Sequence, residues 1–195
     1  MMAAVRHWVW ALLAAVLLWL SFPPVGVWFL APVALLLLLH AVRSCPSQRL
    51  LAEAGLPFAG VFFLLITFWL RTVHVYVGWS LALLAWLGAA VLLTAFYLLP
   101  FAWLQWRPRA YPLNLGAFLF SWCLVDFLRS CGPLGNTLGV PWTPLIEWPM
   151  LAQNAYFLGF WGMGALFYIW ILWVYLWGNS LREKLWPRAL LLGNM

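Results

Sequence analysis

Residues 79–106 read WSLALLAWLGAAVLLTAFYLLPFAWLQW, without one charged side chain. A helix of about 20 apolar residues crosses the hydrocarbon core of a bilayer. This stretch is long enough to cross, to tilt, or to bend near Pro100. It is apolar on every face, whereas the strands of a membrane barrel alternate polar and apolar, so a barrel is not expected. The surrounding chain has the same character: 67% of residues are hydrophobic and 7% charged, against roughly a quarter charged in soluble domains. The 17 Trp residues suit the level of the lipid headgroups.

Five further apolar segments flank the first. They run over residues 8–22, 25–42, 55–70, 113–128 and 155–177, and a short apolar stretch at 189–192 follows. The expected fold is all-α: a polytopic membrane helix bundle of about six transmembrane helices, forming a single domain over residues 1–195 with no soluble catalytic domain. The first segment has a second reading. Arg6 followed by an apolar run resembles a signal peptide. No small-x-small cleavage site follows; Ser21-Phe22-Pro23-Pro24 does instead, which fits a tight turn between two helices.

The net charge of +6 in a soluble protein would suggest nucleic acid. Here the charges sit at segment ends, where topology explains them, and no nucleic-acid partner is expected. With the N-terminus and Arg6 in the cytoplasm, Arg43, Arg49, Arg107, Arg109, Arg182, Lys184 and Arg188 also fall inside. Arg71 and Arg129 fall outside. That bias sets both termini on the cytoplasmic face. It places residues 21–24, 71–78 and 129–154 on the outer face, where most groups capable of specific recognition collect.

The candidate binding residues lie there: Arg71, His74, Tyr76, Asp126, Arg129, Trp142 and Glu147. Asp126 and Arg129 are three apart and share a helix face, close to or within the membrane, where charges carry a partner or a task. A helix-end salt bridge that orients the fifth helix and an outer-face site both fit them. Gly132-Pro133-Leu134-Gly135 through Pro141-Trp142 is turn-rich. With Pro144, Trp148 and Pro149 it reads either as a plain connector or as a stretch in the headgroup layer. Arg71 fits phosphate recognition and snorkelling equally well; His74 fits an interfacial residue or a ligand.

Catalytic constellations are missing. Cys45, Cys123 and Cys131 fall in the inner loop, the fifth segment and the outer loop, and Lys184, the only Lys, is inside. Arg129, two residues from Cys131, is weak support for an activated thiol. Glu147 has no outer Lys or Ser-His arrangement beside it. No catalytic residue, metal site or cofactor is expected.

The order of motifs resembles the apolipoprotein N-acyltransferases. Leu20-Ser21-Phe22-Pro23-Pro24-Val25-Gly26-Val27-Trp28 with Leu30-Ala31-Pro32 resembles the family's start. Trp69 and His74-Val75-Tyr76-Val77-Gly78 resemble its second outer segment. Ala95-Phe96-Tyr97 with Pro100 is similar to its fourth helix, and Trp122 with Asp126-Phe127-Leu128-Arg129 to its Glu-x-Leu-Arg segment. Pro141-Trp142 resembles its Phe-Pro-Trp loop, and Gly159, Trp161 and Gly162 its sixth helix.

The resemblance implies acyl transfer from a phospholipid to the N-terminal amine of a lipoprotein's diacylated cysteine, in the bacterial inner membrane, as a multi-pass protein. It implies a Glu-Lys-Cys triad in a nitrilase-like domain after a seventh helix. It also implies a lipid-accessible outer groove with Asp126, Arg129 and Trp142 at its mouth. The partners it implies are membrane phospholipid, a lipoprotein substrate and a separate nitrilase-like catalytic chain. Three departures stand out. The sequence ends at Met195, about where the seventh helix would begin, so the triad is expected to lie outside this chain and the chain alone to be inactive. Asp126 stands for the usual Glu. Thr143-Pro144-Leu145-Ile146-Glu147 replaces the usual Gly-Tyr-Ser-Gln after Pro-Trp. The expected functions are a part of a split or truncated acyltransferase, a non-catalytic lipid- or lipoprotein-binding membrane protein, or, last, a small transporter, for which no internal repeat is visible.

Overall fold

A computed structural model of the chain describes residues 2–106, 113–131, 135 and 137–192. Among them there is helix and turn and no strand. The helices are α1 (Met2–Leu20), α2 (Leu30–Ser44), α3 (Leu56–Ile66), α4 (His74–Val77), α5 (Trp79–Gln105), α6 (Leu113–Ser130) and α7 (Pro149–Leu192). Short 3₁₀ turns at Ser47–Arg49, Phe68–Val73 and Thr143–Glu147 and a π turn at Leu51–Gly55 join or extend them. Three helical stretches are long and apolar enough to cross a membrane: Leu51–Val77, Trp79–Gln105 and Pro149–Ser180. His7–Leu20 and Leu30–Ser44 are shorter apolar helices. The result is an all-α membrane helix bundle, as the sequence indicated.

Helix ends differ from the apolar segments for local reasons. The second segment begins at residue 25, yet α2 starts at Leu30. Pro23 and Pro24 supply no backbone N–H, and Gly26 takes a left-handed φ of 68°, so residues 21–29 turn instead. Ser21 holds this turn, its hydroxyl donating to the Leu18 carbonyl at 2.5 Å. The third segment tightens from α to 3₁₀ at Thr67, whose hydroxyl donates back to the Phe63 carbonyl at 2.5 Å. That back-bond competes with the helical ladder. At the other end α7 begins at Pro149, six residues before the apolar segment, and is broken once at Gly159, with φ 67° and ψ 172°.

The helices pack in a closed circuit. α2 lies on α1, α1 on α3, α3 on α5, α5 on α6, α6 on α7, and α7 returns to α2. Each buries a narrow stripe at helical spacing. On α1 it is Ala11, Ala14, Ala15 and Leu18; such small residues let backbones approach closely where no hydrophobic effect drives association. On α3 it is Phe58, Ala59, Phe62, Phe63 and Ile66, and on α7 Phe167, Tyr168, Ile171 and Tyr175. Trp122 of α6 is the hub. Phe58, Tyr97 and Phe118 meet its ring edge to face at 5.4, 5.4 and 5.5 Å, and Phe101 lies at 6.0 Å. Tilted and edge-on pairs at these separations are favourable beyond the area they bury.

Candidate functional site

The buried stripe of α6 runs Leu115, Phe118, Leu119, Trp122, Val125, Asp126, Arg129. The 3.6-residue period therefore carries the two charged residues inward on the same face as the hub tryptophan. Their side chains are 1% and 4% exposed, and Arg129 Nη2 lies 3.6 Å from Asp126 Oδ1.

Burying two charges is costly unless geometry and hydrogen bonds satisfy what the pair leaves over. Two tyrosines from other helices do so. Tyr97 of α5 donates its hydroxyl to Asp126 Oδ1, and Tyr168 of α7 donates to Oδ2 at 2.8 Å. The Tyr97 oxygen accepts in turn from Arg129 Nη2 at 3.4 Å. Arg129 Nη1 donates to the Leu138 carbonyl at 2.7 Å. One carboxylate and one guanidinium thus tie α5, α6 and α7 to the loop that follows α6.

That loop is seated by shape as well as charge. Gly139 adopts a φ of +77°, and a Cβ there would stand 3.1 Å from Phe62 Cε1. Glycine alone enters this conformation without strain and lets the loop lie on the α3 aromatics. Val140, Pro141 and Trp142 are buried. The Trp142 ring lies 4.1 Å from that of Phe160 and directly on Gly164, where an added Cβ would be 2.5 Å from Nε1.

Asp126, Arg129 and Trp142 are therefore together, but 1%, 7% and 3% exposed. They form the packed interior under the loop that follows α6, not the lining of an open mouth, because the tyrosines and the loop itself close over them. Glu147 is exposed and lies against the turn between α1 and α2: a Cβ on Gly26 would meet its Oε2 at 3.5 Å. Beside it the rings of Trp28 and Trp148 pack at 4.9 Å. Arg71, His74 and Tyr76 stand apart, at the α3–α5 reversal. The Arg71 guanidinium caps the Phe68 ring at 3.7 Å. His74 stacks on Trp79 at 3.8 Å, with Nδ1 2.9 Å from the Arg71 carbonyl. Tyr76 is 87% exposed. Among the described residues no group of three His, Cys, Asp or Glu side chains is placed to hold a metal ion.

Sequence reasoning missed Tyr97, Tyr168, Gly139 and Gly164. The available signal was the phenol: a hydroxyl inside an apolar helix needs a partner, and Asp126 was the nearest unsatisfied acceptor to look for.

The family model of the apolipoprotein N-acyltransferase N-terminal domain matches residues 14–174. This chain belongs to that family. The matched span runs from within α1 to within α7, so the whole Asp126–Arg129 network of this N-acyltransferase N-terminal domain lies inside it. Neither a curated protein nor a solved structure matches the chain.

Proposed function

We propose that this chain is the membrane-embedded part of an apparatus that acylates lipoproteins. It sits as a multi-pass protein in the bacterial inner membrane with both termini cytoplasmic. The family match over residues 14–174 carries this reading, and the inward bias of Lys and Arg supports the orientation. The reaction forms an amide between a phospholipid acyl group and the amine of a lipoprotein's diacylated cysteine, and the lysophospholipid leaves. Its nucleophile is assigned to a nitrilase-like unit, on a separate chain or on a longer form of this one. This chain's part is to bring that unit to the lipid and hold the outer loop in one shape. Asp126, Arg129 and Trp142 act by positioning the loop. Arg71, His74, Tyr76 and Glu147, at the outer surface, meet the catalytic unit, the phospholipid headgroup or the lipoprotein.

The deciding experiment is purification from the source organism in mild detergent, with intact-mass measurement and an acyl-transfer assay on the purified material. The expected result is a nitrilase-like unit bound to or continuous with the chain, and activity lost in Arg129→Ala and Trp142→Ala. A lone, folded chain carrying phospholipid and no such unit would overturn the reading in favour of a non-catalytic lipid-binding protein.

A further inference from the structure

Between α6 and α7 lies an open hollow of about 130 Å³. Gly116, Leu119 and Cys123 of α6 line one side and Ala165, Tyr168 and Leu172 of α7 the other. Two small residues create the depth. A Cβ on Gly116 would already stand 3.3 Å from Leu172 Cδ2, and Ala165 leaves the facing wall low. Phe120 and Ile169, 72% and 62% exposed, form the lips. The tyrosine hydroxyl at this wall is committed to Asp126 Oδ2, so the hollow offers hydrocarbon and a thiol and no free hydrogen-bonding oxygen. From residue 116 to residue 123 it runs about 10 Å along the helix at 1.5 Å per residue, about a third of the hydrocarbon core.

Charge selects the occupant. The sequence places Arg107 and Arg109 just before α6, and Arg182, Lys184 and Arg188 beyond the membrane stretch of α7. These five are half of the chain's 10 Lys and Arg residues. In sequence they flank the two helices that form the hollow, on the side the positive-inside bias makes cytoplasmic. Basic residues at the cytoplasmic ends of membrane helices attract anionic headgroups.

We propose that the α6–α7 groove is a binding site for one acyl chain of an anionic phospholipid of the inner leaflet. It is a resident lipid site, distinct from the outer loop and independent of acyl transfer.

The test uses the full chain in phosphatidylcholine vesicles containing phosphatidylglycerol. A trace of phosphatidylglycerol with a photoreactive acyl chain is compared with a phosphatidylcholine probe bearing the same chain, and labelled residues are mapped by mass spectrometry. The phosphatidylglycerol probe should label residues 116–123 and 165–172 several-fold above the phosphatidylcholine probe. It should also exceed the labelling of Leu84, Leu87 and Val91 of α5, which are exposed. Ala165→Phe, which fills the groove, should bring that labelling down to the α5 level. The triple variant Arg182→Gln, Lys184→Gln, Arg188→Gln leaves the groove intact and should erase the preference between probes. Equal labelling by both probes in the wild-type chain would overturn the proposal, leaving bulk lipid only. So would labelling unchanged by Ala165→Phe in a variant that melts like wild type, or a groove closed to both probes because a second copy covers it, seen as a Cys123–Cys123 crosslink.

Discussion

Arg129 reaches past its own helix to the carbonyl of Leu138, nine residues on, and donates to it at 2.7 Å. The other arm of the same guanidinium faces Asp126 at 3.6 Å. A planar cation with several fixed donors serves both directions at once, which an ammonium on a flexible stem does not. Arg129 therefore couples the ion pair to the shape of the loop after α6, so damage inside the bundle and damage to the loop are the same event.

The first prediction concerns that coupling. Arg129→Ala strands a buried carboxylate and Asp126→Asn strands a buried guanidinium, and either loss is expected to cost roughly 3–5 kcal/mol. The double variant Asp126→Asn with Arg129→Ala leaves no unpaired charge and should cost clearly less than the sum of the singles. A double-mutant cycle from unfolding in mixed micelles measures the difference. Strict additivity would mean that the two side chains do not act as a pair.

The second concerns the tyrosines. Tyr168→Phe removes one hydrogen bond to the carboxylate and should cost about 1.5–3 kcal/mol, the range for bonds to charged groups. Tyr97→Phe should cost more, because its oxygen also accepts from Arg129. Thermal unfolding of the two variants side by side gives the order, and a larger loss in Tyr168→Phe would reverse the assignment.

The difference between what the sequence reveals and what it conceals is visible in these four residues. Asp126 and Arg129 are legible because a charge in an apolar run has to be explained. Their tyrosine partners lie 29 and 42 positions from Asp126, on helices that are apolar all round, so nothing in the residue pattern says which face turns inward. The number and order of the apolar segments were legible for the same reason that the stripes were not: lipid and protein interior select the same side chains. Ends depended on local chemistry. The turn at Pro23 and Pro24 was visible, although its reach through Gly26 to Leu30 was not. Residues 149–154 end in Gln153 and Asn154 and so carried no continuous apolar signal to extend the sixth segment back to Pro149. Burial of Trp142 was concealed because its seat is an absence, the missing side chain of Gly164.

The third prediction tests that seat. Gly164→Ala puts a methyl group where the Trp142 indole lies, and overpacking of this kind costs about 1–3 kcal/mol. In a Trp142→Ala background the same change should be close to neutral, since the ring it would strike is gone. Equal costs in both backgrounds would show that Gly164 is required by something other than Trp142.

The fourth separates backbone from space. Gly139→Ala meets both a left-handed φ and the Phe62 ring, and should destabilise by at least about 1 kcal/mol. Gly60, in the middle of α3 with nothing within 4 Å of an added Cβ, should tolerate Ala or gain up to about 1 kcal/mol. Melting temperatures of the two variants should move in opposite directions, and a parallel fall would leave the loop strain without support.

The fifth distinguishes positioning from contact at the outer face. Tyr76 is 87% exposed, and the Glu147 side chain lies outside the bundle against Gly26. Tyr76→Ala and Glu147→Gln should shift stability by no more than about 0.5 kcal/mol, as surface changes do. If these side chains meet the catalytic unit or the phospholipid, the same variants should lower its recovery with the purified chain, or the acyl transfer of the assembled material, by severalfold. Arg129→Ala should lower both stability and recovery, since it acts through the loop. Recovery and activity unchanged in Tyr76→Ala and Glu147→Gln, together with a loss in Arg129→Ala that only tracks unfolding, would remove the outer face from the function and leave the buried network as a structural tie.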